Sequence, residues 1–184
     1  MINKKRFFLV NKITLIVLLI LIILLSIRFT FSSYEGNVDG KVVSDIAFYL
    51  LEAGSYSEDL KMFEVEPDGN NYIFNVDVSN YKDNTRSDVD LEYELSLVTT
   101  TNLPIDYQIY LGEDNTNIIS KKEVFQDEDM MYFNRYMTST RTFSKDRDMV
   151  DKYKIVINFP KEYNDSKYQD LLDSVEVVIE SRQV

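Results

Sequence analysis

The chain predicts an all-β fold, a jelly-roll or Ig-like antiparallel β-sandwich preceded by one N-terminal transmembrane helix. Three observations carry that prediction. Apolar residues recur at every second position in segment after segment, as in half-buried strands. Gly, Pro, Asn and Asp clusters punctuate those segments. A charge-free run of Ile, Leu and Val stands ahead of a body that is strongly acidic.

That run extends from Ile13 to Ile27 and continues past Arg28 to Phe31. As a helix rising ~1.5 Å per residue it covers about 28 Å, close to the ~30 Å hydrocarbon core of a bilayer. Arg28 would snorkel to the far headgroups. Lys4, Lys5, Arg6 and Lys12 mark the near side as cytoplasmic. The resulting division is a basic cytoplasmic segment 1–11, a signal-anchor or signal peptide 12–31, a linker 32–41 and an extracellular domain 42–184. A cleaved signal peptide needs a small-residue site, and Thr30-Phe31-Ser32 supplies a poor one, so an uncleaved anchor fits better. The expected localisation is the cell membrane with the C-terminal domain outside, or secretion if cleavage occurs.

Charge and composition exclude much. The chain carries 20 basic and 31 acidic residues, and the first 33 residues hold five of the bases and none of the acids. A body so acidic repels nucleic acid and anionic lipid. With no Cys and no His, Ser-His-Asp and Cys-His catalysis are ruled out, as is a zinc site built on those ligands. No phosphate-binding glycine motif occurs. A carboxylate-only enzyme would need two converging acids in a cleft, and no pair is marked. No enzyme activity and no cofactor are expected.

The elements follow in order. A strand over Val42–Leu51 is expected to be buried on both faces, because Ile46 to Leu51 scarcely alternate. "VEPDGNN" is a turn, with Pro67 fixing φ and Gly69 free to take positive φ. In "NYIFNVDVSN", Tyr72, Phe74, Val76 and Val78 share one parity. "YKDNTRS" reads as a loop. A strand over Asp88–Val98 sets Val89, Leu91, Tyr93, Leu95 and Leu97 against Asp88, Asp90, Glu92, Glu94 and Ser96. Pro104 ends that region, since it cannot donate to a ladder. Ile105, Tyr107, Ile109 and Leu111 alternate up to Gly112. Residues 113–150 hold one to three short strands among polar loops. "KYKIVINFP" is a strand stopped by Pro160. Asp165 or Ser166 caps a short helix with Tyr168, Leu171 and Leu172 on one face. Val175, Val177 and Ile179 make the last strand.

These residues carry a family resemblance. Phe74, Val76, Val78 and Asn80, then Asp88 to Tyr93, then Asn102-Leu103-Pro104, then Tyr110-Leu111-Gly112 resemble the domain of the TasA/camelysin family of Gram-positive surface proteins. Ile46, Ala47 and Phe48 are similar to that family's first mature strand. "DKYKIVINFP" and the segment from Tyr168 to Val184 are similar to its closing strands. The resemblance implies a jelly-roll-like sandwich, secreted or surface-held. It also implies, for some members, polymerisation in which an N-terminal segment completes the sheet of the next subunit.

The acidic row invites a calcium reading. Same-face neighbours on a strand lie ~6.6–6.8 Å apart, too far to cage an ion whose ligands sit at ~2.3–2.6 Å. The row is therefore expected to be a solvated face, paired across strands with Lys152 and Lys154. Asp114, Asn117, Asp127 and Asp129 are weaker calcium candidates on loops. The aromatic run from Met130 to Met137 is expected to lie mainly in or near the core, with a hairpin edge or partner surface as the alternative. Val38, Val42 and Val43 are the candidates for assembly, through a strand lent to a neighbour. The expected function is a non-enzymatic, membrane-anchored or exported surface protein with a structural role in matrix or envelope assembly. Its partners would be the membrane, itself or another surface protein, and not nucleic acid. The alternative is an adhesive or ligand-binding ectodomain that does not self-assemble.

Overall fold

The computed structural model describes residues 40–164 and 174–184. The segments 1–11 and 12–31, most of the 32–41 linker, Val38 and the helix expected at 165–172 lie outside the described residues. Among the described residues no helix is long and apolar enough to cross a membrane.

The described chain is all-β: two packed sheets, one small ribbon and two single 3-10 turns. One sheet has the order β1-β3-β11-β7, from Lys41–Tyr49, Asn71–Ser79, Val150–Asn158 and Asp106–Leu111. The other has the order β2-β12-β6-β9-β8, from Gly54–Asp59, Val175–Gln183, Leu91–Thr100, Tyr132–Met137 and Lys121–Gln126. The short β10, Arg141–Phe143, also pairs with β6, so β9 and β10 lie end to end along one side of it. Strands β4 (Tyr81–Lys82) and β5 (Thr85–Arg86) form the ribbon, with Asp83 in the left-handed region at φ 53°.

Alternation builds the core. Phe74, Val76 and Val78 of β3, Ile109 of β7, and Ile155 and Ile157 of β11 face Leu91, Leu95 and Leu97 of β6, and Val177 and Ile179 of β12, across the two sheets. All are fully buried. Burying a side chain of this size contributes ~1.5–3 kcal/mol, which fixes register because a one-residue slip would turn each of them to water. The inward aromatics Phe74, Tyr93, Tyr107, Tyr153 and Phe159 are buried as their parity requires. Gly69 (φ 78°) and Gly112 (φ 63°) occupy the turns that need positive φ.

Several expectations are corrected. The first strand is not buried on both faces: of its nine residues only Phe48 is buried, because β1 is an edge strand. It also runs parallel to β3, so the sandwich is not wholly antiparallel. "YKDNTRS" is a ribbon rather than a loop. The central strand begins at Leu91, three residues later than expected, and reaches Thr100. β2 carried no sequence signal: "GSYSED" has no apolar alternation, and it is held by pairing with β12. The expected pairing of Glu92 and Glu94 with Lys152 and Lys154 does not exist, since β6 and β11 lie in different sheets. Lys152 stands opposite Asp77, and Lys154 opposite Asn75 and Tyr110.

Candidate functional site

The acidic face of β6 is the first candidate. Only Glu92 and Glu94 of the row lie on the strand; Asp88 and Asp90 precede it. Glu92 accepts two bonds from Arg182, at 2.9 and 2.6 Å, from the adjacent β12. Asp90 accepts the backbone N–H of Lys145 at 2.7 Å. Glu94 stands opposite Glu180. Partial burial and that second carboxylate push its pKa up. A raised carboxylate pKa opposes folding above it, so this destabilisation grows as pH rises through the carboxylate range and is absent in acid. Glu94→Gln is therefore expected to stabilise the domain at pH 7 by a few tenths of a kcal/mol, the low end of the ~0.2–1 kcal/mol for cross-strand pairs because water screens this face. Thermal melts of both proteins should show the gain at neutral pH and its disappearance below about pH 4.

The loop carboxylates do not converge. Among the described residues no three Asp or Glu are placed to hold a metal ion. Asp114 Oδ1 accepts from the backbone N–H and hydroxyl of Thr116, at 3.0 and 2.9 Å. Asn117 Oδ1 accepts the N–H groups of Ile109 and Ile119, both at 3.2 Å. Asp127 Oδ1 accepts the N–H of Met131 at 2.8 Å. These oxygens shape turns. Asp129 lies in the same hairpin tip, between β8 and β9.

The densest polar cluster joins the two sheets. Tyr93 of β6 donates its hydroxyl to Asp151 of β11 at 2.5 Å and lies 2.8 Å from the Tyr153 hydroxyl. Arg141 of β10 grips the same carboxylate with two parallel bonds, Nε at 2.6 Å and Nη2 at 2.9 Å. Tyr93 and Arg141 are directly paired across β6 and β10, while Asp151 and Tyr153 are alternate residues of one strand, so register sets each pair and the packing of the two sheets brings the pairs together. Phe143 covers the cluster, its ring 4.8 Å from that of Tyr93. Burial, with the neighbouring Tyr153 and Asp151, drives the Tyr93 phenol far above its usual range, and burial raises Tyr153 to about 12. Hydrogen bonding to Asp151 raises Arg141. Two phenols held neutral and a charge matched by a charge make a latch between sheets. Sequence reasoning missed Arg141 and Asp151. The signal was available for Asp151, which shares the inward parity of Tyr153 and Ile155.

The clefts among the described residues include a shallow one of about 310 Å³ over Glu92, Glu94, Glu180 and Arg182, and two others. One, of about 340 Å³, lies at an end of the sandwich between β7, β9 and the Pro160 turn, with Tyr107, Tyr136, Lys122, Asp106 and Glu162 in its walls. The Lys122 ammonium sits 4.8 Å above the Tyr136 ring. The other, of about 640 Å³, separates the β4–β5 ribbon from the 145–148 loop and is bordered by the Arg86–Asp148 pair at 3.0 Å.

The sheet edges complete the inventory. The outer edge of β7 is covered, because Ile118 N–H donates to the Ile109 carbonyl at 2.8 Å beside the Asn117 bond. Among the described strands of the two sheets, β1, β2, β8 and the short β10 each have a neighbour on one side only. Val42 is 58 % exposed, while Val43 and Ile46 pack partly against the core. At the other sheet, Met130, Met131 and Tyr132 stand exposed at the β8–β9 tip, against the expectation of a core position. Their hairpin extends past the last β6 partner, Phe133, so no strand lies beside them on the β6 side.

Compared with family models, with curated proteins and with solved structures, the chain matches none.

Proposed function

We propose that the chain is a non-enzymatic surface protein of a Gram-positive cell, with a jelly-roll-like domain carried outside by its N-terminal segment and a structural role in matrix or envelope assembly. The observation that carries this reading is β1. It is the first described strand after the linker from the N-terminal segment and lies at a sheet edge with one neighbour. It runs parallel to that neighbour, β3, where every other pair among the described residues is antiparallel. Only Phe48 of its residues is buried, so its exchange with a β1 from another subunit would disturb little of the core. The exposed Val42 and the half-buried Val43 fall on this strand, as does the resemblance at Ile46 to Phe48.

The test uses the full chain purified in neutral detergent and concentrated. Regular fibres under negative stain are expected, and Val42→Asp with Val43→Asp should abolish them while leaving the circular dichroism of the sandwich intact. A strict monomer at every concentration would defeat the assembly reading. The alternative, a ligand-binding ectodomain, draws on the cleft walled by Tyr107 and Tyr136. It would gain from saturable binding of a wall glycan or protein by that monomer.

A further inference from the structure

We propose that the edge strand β8 is a self-complementary docking surface for β8 of a second copy of this chain, joined antiparallel across a two-fold axis at Val124. The inference concerns the opposite sheet from β1 and stands whether or not β1 is exchanged.

β8 has a strand on one side only, so alternate residues present unpaired N–H and C=O groups outward. Proteins commonly blunt such an edge with charge of one sign, which repels a copy of itself. Here the sign reverses along the strand. Lys121 and Lys122 begin it, Glu123, Val124 and Phe125 form its middle, with Glu123 already answered by Lys121 at 2.8 Å and Arg135 at 3.9 Å, and Asp127, Glu128 and Asp129 follow its end. The ladder extends as far as Asp127, whose N–H donates to the Met131 carbonyl at 3.0 Å. A segment that is basic at its start and acidic past its end, with its one central acid already paired, matches its own reverse.

Symmetry then fixes the register. A two-fold axis perpendicular to the sheet keeps every side chain on its own face, so residues pair with partners of equal parity. With the axis at Val124, Lys121 meets Asp127 of the second copy, Lys122 meets its Gln126, and Glu123 meets its Phe125. Lys121, on the outer face, already touches Glu123 at 2.8 Å, so the new carboxylate extends an existing pair. Val124, 60 % exposed in the single chain, packs against itself. The tip carrying Met130 and Met131, which are 73 % and 54 % exposed, is brought toward the Ile118–Ser120 segment leading into the other β8. The pairing thus employs both the charge pattern and the exposed apolar residues of this hairpin. β2, also an edge, has Glu58 and Asp59 and no base, and offers no such match.

The experiment exploits the absence of cysteine from the chain. Cα atoms of directly opposed residues lie about 4.5–5.5 Å apart, within the ~4.4–6.8 Å range for a disulfide. Full chain in neutral detergent carrying Val124→Cys should form a disulfide dimer under mild oxidation several-fold faster than chain carrying Ser57→Cys on exposed β2. High salt should slow it. Lys121→Glu should slow it several-fold by placing like charges opposite. Asp127→Asn should also slow it, while its amide oxygen still accepts the Met131 N–H and preserves the tip. Cross-linking at Val124 no faster than at Ser57, or rates indifferent to both charge changes and to salt, would overturn the proposal.

Discussion

Asp151→Ala is expected to lower the unfolding free energy by about 2–3 kcal/mol, read as a drop of several degrees in the thermal midpoint. The carboxylate holds Arg141 by two bonds and accepts a third from Tyr93. Removing it leaves a guanidinium and a buried phenol without their acceptor. Breaking a fully buried pair costs ~3–5 kcal/mol. The figure is lower here because the Arg141 side chain remains 38 % exposed and can recruit water, whereas Asp151 is only 12 % exposed. Arg141→Met in the same background should recover part of the loss, since it removes the orphaned charge and keeps the stem that packs beside Tyr93. A midpoint unchanged by Asp151→Ala would show that the latch contributes nothing to holding the sheets together.

Asn80→Ala is expected to cost about as much, ~2–4 kcal/mol, by a different route. Asn80 is 1 % exposed, and its amide spans a loop. Nδ2 donates to the carbonyls of Ser144 and Arg147, at 2.8 and 3.0 Å, and Oδ1 accepts the N–H of Met149 at 2.8 Å. Its own backbone binds the Met149 carbonyl and the Ser87 N–H. Each backbone group left buried without a partner costs ~1–3 kcal/mol. Asn80→Asp should not rescue the protein, because a carboxylate would face two carbonyl oxygens. The loop it holds contains Lys145 and Arg147, so limited trypsin digestion should cut there in the variants before it cuts elsewhere. Equal digestion of wild type and variants would refute the clamp.

These two residues show what the sequence made legible. Parity identified the core strands, because a half-buried strand must alternate and Phe74, Val76, Val78, Ile155 and Ile157 do. The same parity places Asn80 and Asp151 inward, and a polar residue on an apolar parity is the trace of a buried hydrogen-bond hub. The edges were not legible. β2 is held through its backbone, which no side-chain pattern records. The apolar run in β1 suggested burial on both faces, yet its position at the rim leaves most of it wet. Strand adjacency was illegible too: opposite charges on β6 and β11 suggested neighbours, but weak cross-strand ion pairs do not determine which sheet a strand joins.

The position of β12 has a consequence for the order of events in the cell. It is the last described strand, yet it lies between β2 and β6 and is the sole described partner of β2. β3 likewise waits for β11, more than seventy residues downstream. Such distant pairings are slow to form, and they cannot form before the downstream strand exists. A chain still emerging from a ribosome, or still threading through a narrow pore, holds hairpins but no finished six-stranded sheet. Completion of the six-stranded sheet is thereby deferred until residue 183 is free, and until then β2 has no strand to lie against.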